Sequence, residues 1–167
     1  MSLRQAGCAY VILRTSWVYA RRRQNFVRTI LRLAGKGGDL RIVDDQIGAP
    51  TWARNIADGT ALIVRTVCQE RAQGQFASGL FNLTASGATS WYGFAKAILE
   101  EVTRHALLSA QALPQLKPIP SEAYPLPAAR PKNSRLAEDR LSKRFGFALP
   151  DWKQGLSLCI EEMKMDE

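Results

Sequence analysis

AYVILRTSWVYARRRQNFVRTILRLAGKGG, residues 9–38, contains the change of period on which the fold turns. Residues 9–14 are a short apolar run rich in β-branched side chains, the pattern of a strand buried on both faces of a parallel sheet. Residues 15–24, TSWVYARRRQ, have no such pattern and read as a loop. From Asn25 the spacing becomes helical: Phe26, Val27, Ile30, Leu31 and Ala34 trace one face, Asn25 stands at the cap position, and Gly35, Gly37 and Gly38 end the run.

The same alternation continues downstream. Residues 40–43 form a second strand candidate, and DDQIGAPT after it carries Gly48 and Pro50 as turn signals. Ala53, Ile56, Thr60, Ile63 and Val67 trace a helical face, the polar residues 70–78 break it, and residues 80–83 are a third strand candidate. Ser90 then caps the clearest helix, with a buried stripe of Trp91, Phe94, Ala95, Ile98 and Val102. Six of the 8 prolines fall between Pro114 and Pro131, so that stretch is extended or turning. Two helices close the chain, one over residues 137–145 ending at Gly146, the other starting near Asp151 and burying Trp152, Leu156, Cys159, Ile160 and Met163. Strands alternating with helices give an α/β class, yet three strands are too few for a doubly wound sheet covered on both faces. No internal repeat is present.

Composition narrows the function classes. With 167 residues, and Gly and Pro at ordinary frequency, the chain has the length of one globular domain and leaves no place for a collagenous or disordered reading. No apolar run approaches the ~20 residues that cross a bilayer, and the start has no export-signal pattern, so a cytoplasmic location without a membrane partner is expected. Cys8, Cys68 and Cys159 are far apart among apolar neighbours and read as buried thiols; with His105 the single histidine, read as a surface residue, a zinc site or a His-based triad lacks parts. The formal charge of +8 invites a nucleic-acid reading. The cationic residues are scattered, half of the arginines lie at helical spacing and neither cluster interleaves aromatics, which favours solvated helix faces or a phosphate-bearing small ligand over nucleic acid.

Six ordered blocks carry a resemblance: ILRTSWVYA (12–20), NFVRTILRLA (25–34), VDDQIGAPTWARNIADGTA (43–61), GLFNLTASGATSWYGFAKAI (79–98), ARPKNSRL (129–136) and FGFALPDWKQGL (145–156). Together they resemble the dTDP-4-dehydrorhamnose reductases, which are extended short-chain dehydrogenase/reductases. The resemblance implies a partial Rossmann-type sheet (about 8–35 and 53–110) with a helix-rich sugar-nucleotide subdomain (about 36–52 and 111–167) in one unit. It implies reduction of a dTDP-4-dehydro-L-rhamnose by NADPH or NADH, the last step of a bacterial cell-surface sugar pathway such as O-antigen biosynthesis. The family's Gly-rich pyrophosphate turn has no counterpart here, because GKGG at 35–38 follows a helix rather than a strand. The family's Tyr/Lys pair precedes the RTSWVY strand, so the chain reads as the C-terminal part of such an enzyme, MSL reads as an artificial start, and neither turnover nor cofactor binding is expected of the chain alone. Tyr92 and Lys96 have the pair's spacing but lie far downstream of RTSWVY, on a packing helix.

The resemblance also nominates site residues. Trp17, directly after a parallel strand, is placed against the hexose; the competing reading is a loop anchor. Thr15 and Ser16 at the same strand end are placed at the nicotinamide edge, or else cap a turn. Asn25 is placed at the diphosphate or is a simple helix cap, and Arg130 is aimed at the diphosphate or salt-bridges the subdomain. Gln46, Pro50 and Thr51 shape either a sugar pocket or a turn, and Asp44 and Asp45 either invite a divalent cation such as Mg2+ or form a solvated turn. The partner expected is a dTDP-sugar, with homodimer or fragment association left open. Two rivals stand beside this reading: a non-catalytic nucleotide-sugar-binding relative of the same fold, and a phosphate-backbone binder.

Overall fold

The change of period at Asn25 is a change of structure. In the computed structural model, which describes residue 5 and residues 7–108, 113–125, 127–128 and 130–165, strand and helix alternate as the sequence predicts, with more and shorter strands. Met1, Ser2, Leu3 and Ala129, the first residue of the ARPKNSRL block, lie outside the described residues. The strands are β1 (Val11–Arg14), β2 (Val18–Tyr19), β3 (Asp39–Val43), β4 (Ile47–Gly48), β5 (Thr51–Trp52), β6 (Gly79–Asn82), β7 (Thr89–Ser90) and β8 (Gln115–Ile119). The helices are α1 (Phe26–Ala34), α2 (Ala53–Ala72), α3 (Trp91–Arg104), α4 (Asp139–Phe145) and α5 (Trp152–Lys164). The strands pair two by two: β1 with β6, β2 with β5 and β3 with β8 in parallel, and β4 with β7 antiparallel.

The caps predicted from sequence are formed. Asn25 Oδ1 accepts the Arg28 N–H at 3.2 Å, and Ser90 Oγ accepts the Gly93 N–H at 2.9 Å. Gly35 closes α1 through its N–H to the Leu31 carbonyl, so GKGG is a helix stop. The left-handed Gly146 (φ 74) ends α4. The proline-rich stretch supplies β8 and a 3-10 turn, Ser121–Ala123.

Two cores result. The larger joins α1, α3 and α5 around Val27, Ile30, Phe94, Ile98, Val102 and Ile160, with Tyr19 and Trp52 wedged beside them. β3 and β8 lie against α3. The smaller consists of Ile63, Phe81, Leu83, Leu141 and Leu149, between the β1–β6 pair, α2 and α4.

Several expectations are corrected here. Residues 11–13 of β1 are half-buried rather than covered on both faces, because β6 is the single strand paired with β1 among the described residues. Part of the supposed 15–24 loop is β2, and part of the DDQIGAPT turn is β4 and β5; these two-residue strands are too short for any period to show. Cys8 and Cys68 are exposed, and only Cys159 is buried, where burial pushes its thiol up to about 12. His105, read as a surface residue, is half-buried: its side chain is 21% exposed and lies 3.7 Å from the buried Glu101 carboxylate. Trp91, placed in the buried stripe, is half-buried at the start of α3. Among the described residues no helix is long and apolar enough to cross a membrane.

Candidate functional site

The site grows out of the 15–25 connection between β1 and α1. Trp17 adopts the left-handed region (φ 48), a conformation that costs a non-glycine residue roughly 1 kcal/mol and is held only where surroundings dictate it. They do so here. Its indole stacks on Trp91 with ring centroids 3.6 Å apart and planes 6° from parallel. Its Nε1–H donates to Ser134 Oγ at 3.1 Å, and Ser134 Oγ donates in turn to the Ile47 carbonyl at 3.1 Å. Gly48 lies so close that a Cβ there would stand 2.6 Å from the indole Nε1, which explains a glycine in β4. Trp17 thus ties β1, β4, α3 and the ARPKNSRL block into one unit.

Behind this stack, a cavity of about 450 Å³ opens between α1 and β3. Phe26, Ile30 and Trp91 give it an apolar wall, with Phe26 tilted against Trp91 at 4.6 Å between centroids. Arg41, Tyr124 and Arg130 supply its polar groups. Gln46 also borders it; that side chain is buried, its Nε2–H donating to Ser121 Oγ at 2.9 Å. A mostly apolar hollow with a few cationic and hydrogen-bonding groups is the ordinary form of a small-molecule site.

The acidic pair behind β3 is engaged in tying the chain together. Asp45 Oδ1 accepts both the Ser121 hydroxyl at 2.6 Å and the Ser121 N–H at 2.9 Å, and Lys132 stands 3.5 Å from Oδ2. The Ser121 hydroxyl, against some desolvation, and then the Ser121 N–H and Lys132 hold the Asp45 carboxyl below its ordinary value. Asp44 accepts from the Ser90 hydroxyl. Among the described residues no group of three or more metal-ligating side chains comes together.

The nominated residues separate into two sets. Arg130 borders the cavity, and Trp17 borders its wall residue Trp91. Asn25 caps α1, and its Nδ2 donates to the carbonyls of Ala20 at 2.7 Å, Arg23 at 3.1 Å and Arg22 at 3.2 Å, so its side chain is committed to the loop. Thr15 is exposed just past β1, whereas Ser16 Oγ is buried without a hydrogen-bond partner among the described residues. Pro50 and Thr51 are buried, the Thr51 hydroxyl donating to the Ala49 carbonyl at 3.1 Å. Tyr92 and Lys96 lie on another face of α3, with Lys96 3.9 Å from Glu100.

Sequence reasoning missed Phe26, Arg41, Trp91 and Tyr124. Arg41 left a signal, a cation alternating with Leu40 and Ile42 in a short strand. Phe26 and Trp91 were absorbed into helical stripes, although both stand at the first helical position, where a stripe residue is least covered.

The comparisons with known proteins agree with one another. The family model described as the RmlD substrate binding domain matches residues 1–165. A dTDP-4-dehydrorhamnose reductase of Burkholderia thailandensis is 45% identical over 163 residues, covering 98% of this chain and 55% of that protein. The protein of the same name from Escherichia coli K12 is 41% identical over 160 residues, covering 95% of this chain and 52% of the other. Among solved structures, a dTDP-4-dehydrorhamnose reductase from Bacillus anthracis in complex with NADP superimposes with a TM-score of 0.75 at 28% identity, over 96% of this chain and 51% of that one. The chain spans about half the length of the curated relatives it matches, in their C-terminal part. By the extent of the family match, this α/β chain belongs to the RmlD substrate binding domain family.

Proposed function

We propose that this chain supplies the sugar-nucleotide-binding part of a reductase that converts dTDP-4-dehydro-L-rhamnose to dTDP-L-rhamnose with NADPH or NADH. The observation that carries the reading is that Arg41 and Arg130 border the same cavity as the Phe26 and Trp91 rings. Flat rings take the face of a base or the apolar face of a deoxy-sugar, and guanidinium forks take a diphosphate in two-pronged hydrogen bonds. Trp17 stacks on Trp91 just past β1, and on this reading the hexose lies beside that pair. Asn25 fixes the first turn of α1, leaving its unpaired backbone N–H groups to the diphosphate.

On this reading residues 36–52 and 111–167 are the sugar-nucleotide segments, and residues 8–35 and 53–110 continue a Rossmann-type sheet. The buried, unpartnered Ser16 Oγ at the end of β1 fits a polar ligand edge, so Ser16 and Thr15 are assigned to the carboxamide of a nicotinamide. That cofactor supplies the hydride when bound; the residues of this chain bind and orient the sugar nucleotide. The pyrophosphate turn and the Tyr/Lys pair are assigned to the half of the relatives outside the match, and the chain alone turns over no substrate.

Calorimetric titration of the purified chain with dTDP-L-rhamnose tests the reading. Saturable binding is expected, weakened roughly tenfold or more in Arg130→Ala by loss of a charge-assisted contact. A folded chain that binds nothing, or that binds equally well without Arg130, overturns it. Oxidation of NADPH by the chain in the presence of the keto-sugar overturns the last assignment alone.

A further inference from the structure

A second cleft, of about 580 Å³, lies on another face of α1 from the cavity above, and the function proposed here does not use it. Thr29, Ile30 and Leu33 of α1 border the first cavity, whereas Arg28 and Leu31 border the second, as their three-residue spacing dictates. Arg21, Arg22 and Arg23 line the cleft together with Arg28. Its remaining wall is apolar: Leu31, Leu107, Leu108 and Met163.

Three of the four guanidiniums there carry charge without an acid partner among the described residues. Among the described residues Glu162 lies 3.9 Å from Arg21, and it is shared with Arg54 at 3.5 Å. Arg22, Arg23 and Arg28 are exposed and have no ion-pair partner among the described residues. The loop that carries two of them is nevertheless fixed. Asn25 Nδ2 donates to the Arg22 and Arg23 carbonyls, and Arg23 is held at φ 61. Guanidiniums of one sign gathered around a cleft by a fixed backbone repel one another and lower their energy by sharing an anion. A single phosphate occupies one or two forks; three uncommitted forks suit the several charges of a phosphate chain. The Leu and Met wall beside them takes a flat organic body, and the volume lies within the roughly 300–1,000 Å³ typical of ligand sites.

We propose that this cleft is a second ligand site, distinct from the sugar-nucleotide cavity, that holds the phosphate chain of a nucleoside di- or triphosphate on Arg22, Arg23 and Arg28 with the base against Leu31, Leu107 and Leu108. The proposal does not rest on the reductase reading.

Equilibrium titrations of the purified chain with ATP, inorganic triphosphate and adenosine test it, in wild type, Arg22→Gln/Arg28→Gln and Arg130→Ala. ATP is expected to saturate one site, triphosphate to compete for it, and adenosine alone to bind far more weakly. The double substitution is expected to weaken ATP roughly tenfold or more through the lost charge-assisted contacts, while Arg130→Ala changes it by less than about twofold. Because the substituted arginines are exposed, circular dichroism is expected to show both variants folded. Absence of saturable ATP binding, or ATP affinity unchanged in the double variant, overturns the proposal. Loss of ATP binding in Arg130→Ala overturns it by placing the ligand in the first cavity. Displacement of ATP by a duplex oligonucleotide, with affinity falling steeply as salt rises, overturns it in favour of a nucleic-acid surface.

Discussion

The two cores of this chain differ in how completely they are covered, and the candidate site sits on the better covered one. Around α3, Phe94, Ala95, Ile98 and Val102 are fully buried, with α1 and α5 closing over them. Around α2, Gly59 and Ile63 are the buried positions of a 20-residue helix, and Leu62 and Val64 are half exposed. The β1–β6 pair beside α2 is only half-buried along β1. A ligand cavity needs walls that hold their shape, and wall stiffness follows from packing on all sides. Phe26 and Trp91 have that support, since Phe26 stacks on Phe94 and Trp91 on Trp17. No comparable aromatic stack stands over α2 among the described residues.

The largest expected effect breaks this contrast or sharpens it. Phe94→Ala should cost about 3–5 kcal/mol, because a cavity enclosed on all sides cannot collapse. Ile63→Ala should fall near the lower end of the usual range, about 2 kcal/mol, because the partly open second core relaxes around it. Denaturant unfolding of both variants measures the difference, and equal losses would erase the distinction between the cores. Next comes Gly48→Ala, which drives a methyl group into the Trp17 indole and should cost about 1–3 kcal/mol by overpacking. It should also weaken dTDP-L-rhamnose more than Ile63→Ala does, as seen by calorimetry, because it disturbs the Trp17–Trp91 stack.

A smaller effect comes from Asp45, whose carboxyl is held below its ordinary value by Ser121 and Lys132. A carboxyl lowered in the folded state stabilises above its unfolded pKa, and that contribution disappears as pH falls through the folded value. Thermal unfolding from pH 5 down to about pH 3 should therefore show wild type losing stability more steeply than Asp45→Asn, with the difference confined to the acid side. Smallest is a chemical readout. The exposed Cys8 and Cys68 should react with a thiol reagent in the folded chain, while Cys159, buried and with its thiol raised to about 12, should react only on unfolding.

Legibility in the sequence followed the same divide. The starts of α1, α3 and α5 were readable to within a residue or two because long amphipathic periods and the caps Asn25, Ser90 and Asp151 act locally. The two-residue strands β2, β4, β5 and β7 were not, since their pairing is decided by partners tens of residues away. Burial of β1 was overstated because an apolar run states what a strand is suited to, while its cover depends on what packs there. The exposure of Cys8 and Cys68 was missed for the same reason. At the site, Arg130 was found through the resemblance. Trp91 was hidden by its place in a helical stripe, which does not distinguish a ring covered by core from one covered by another ring.

The most direct test of the account is a chemical-shift map of the isotope-labelled chain titrated with dTDP-L-rhamnose. The account predicts perturbations concentrated in residues 26–33, 41–46 and at the Trp17 and Trp91 indole N–H groups, with α2 and α4 nearly silent. Shifts centred on α2, α4 and the β1–β6 pair, or a folded spectrum that does not change at all, would contradict it.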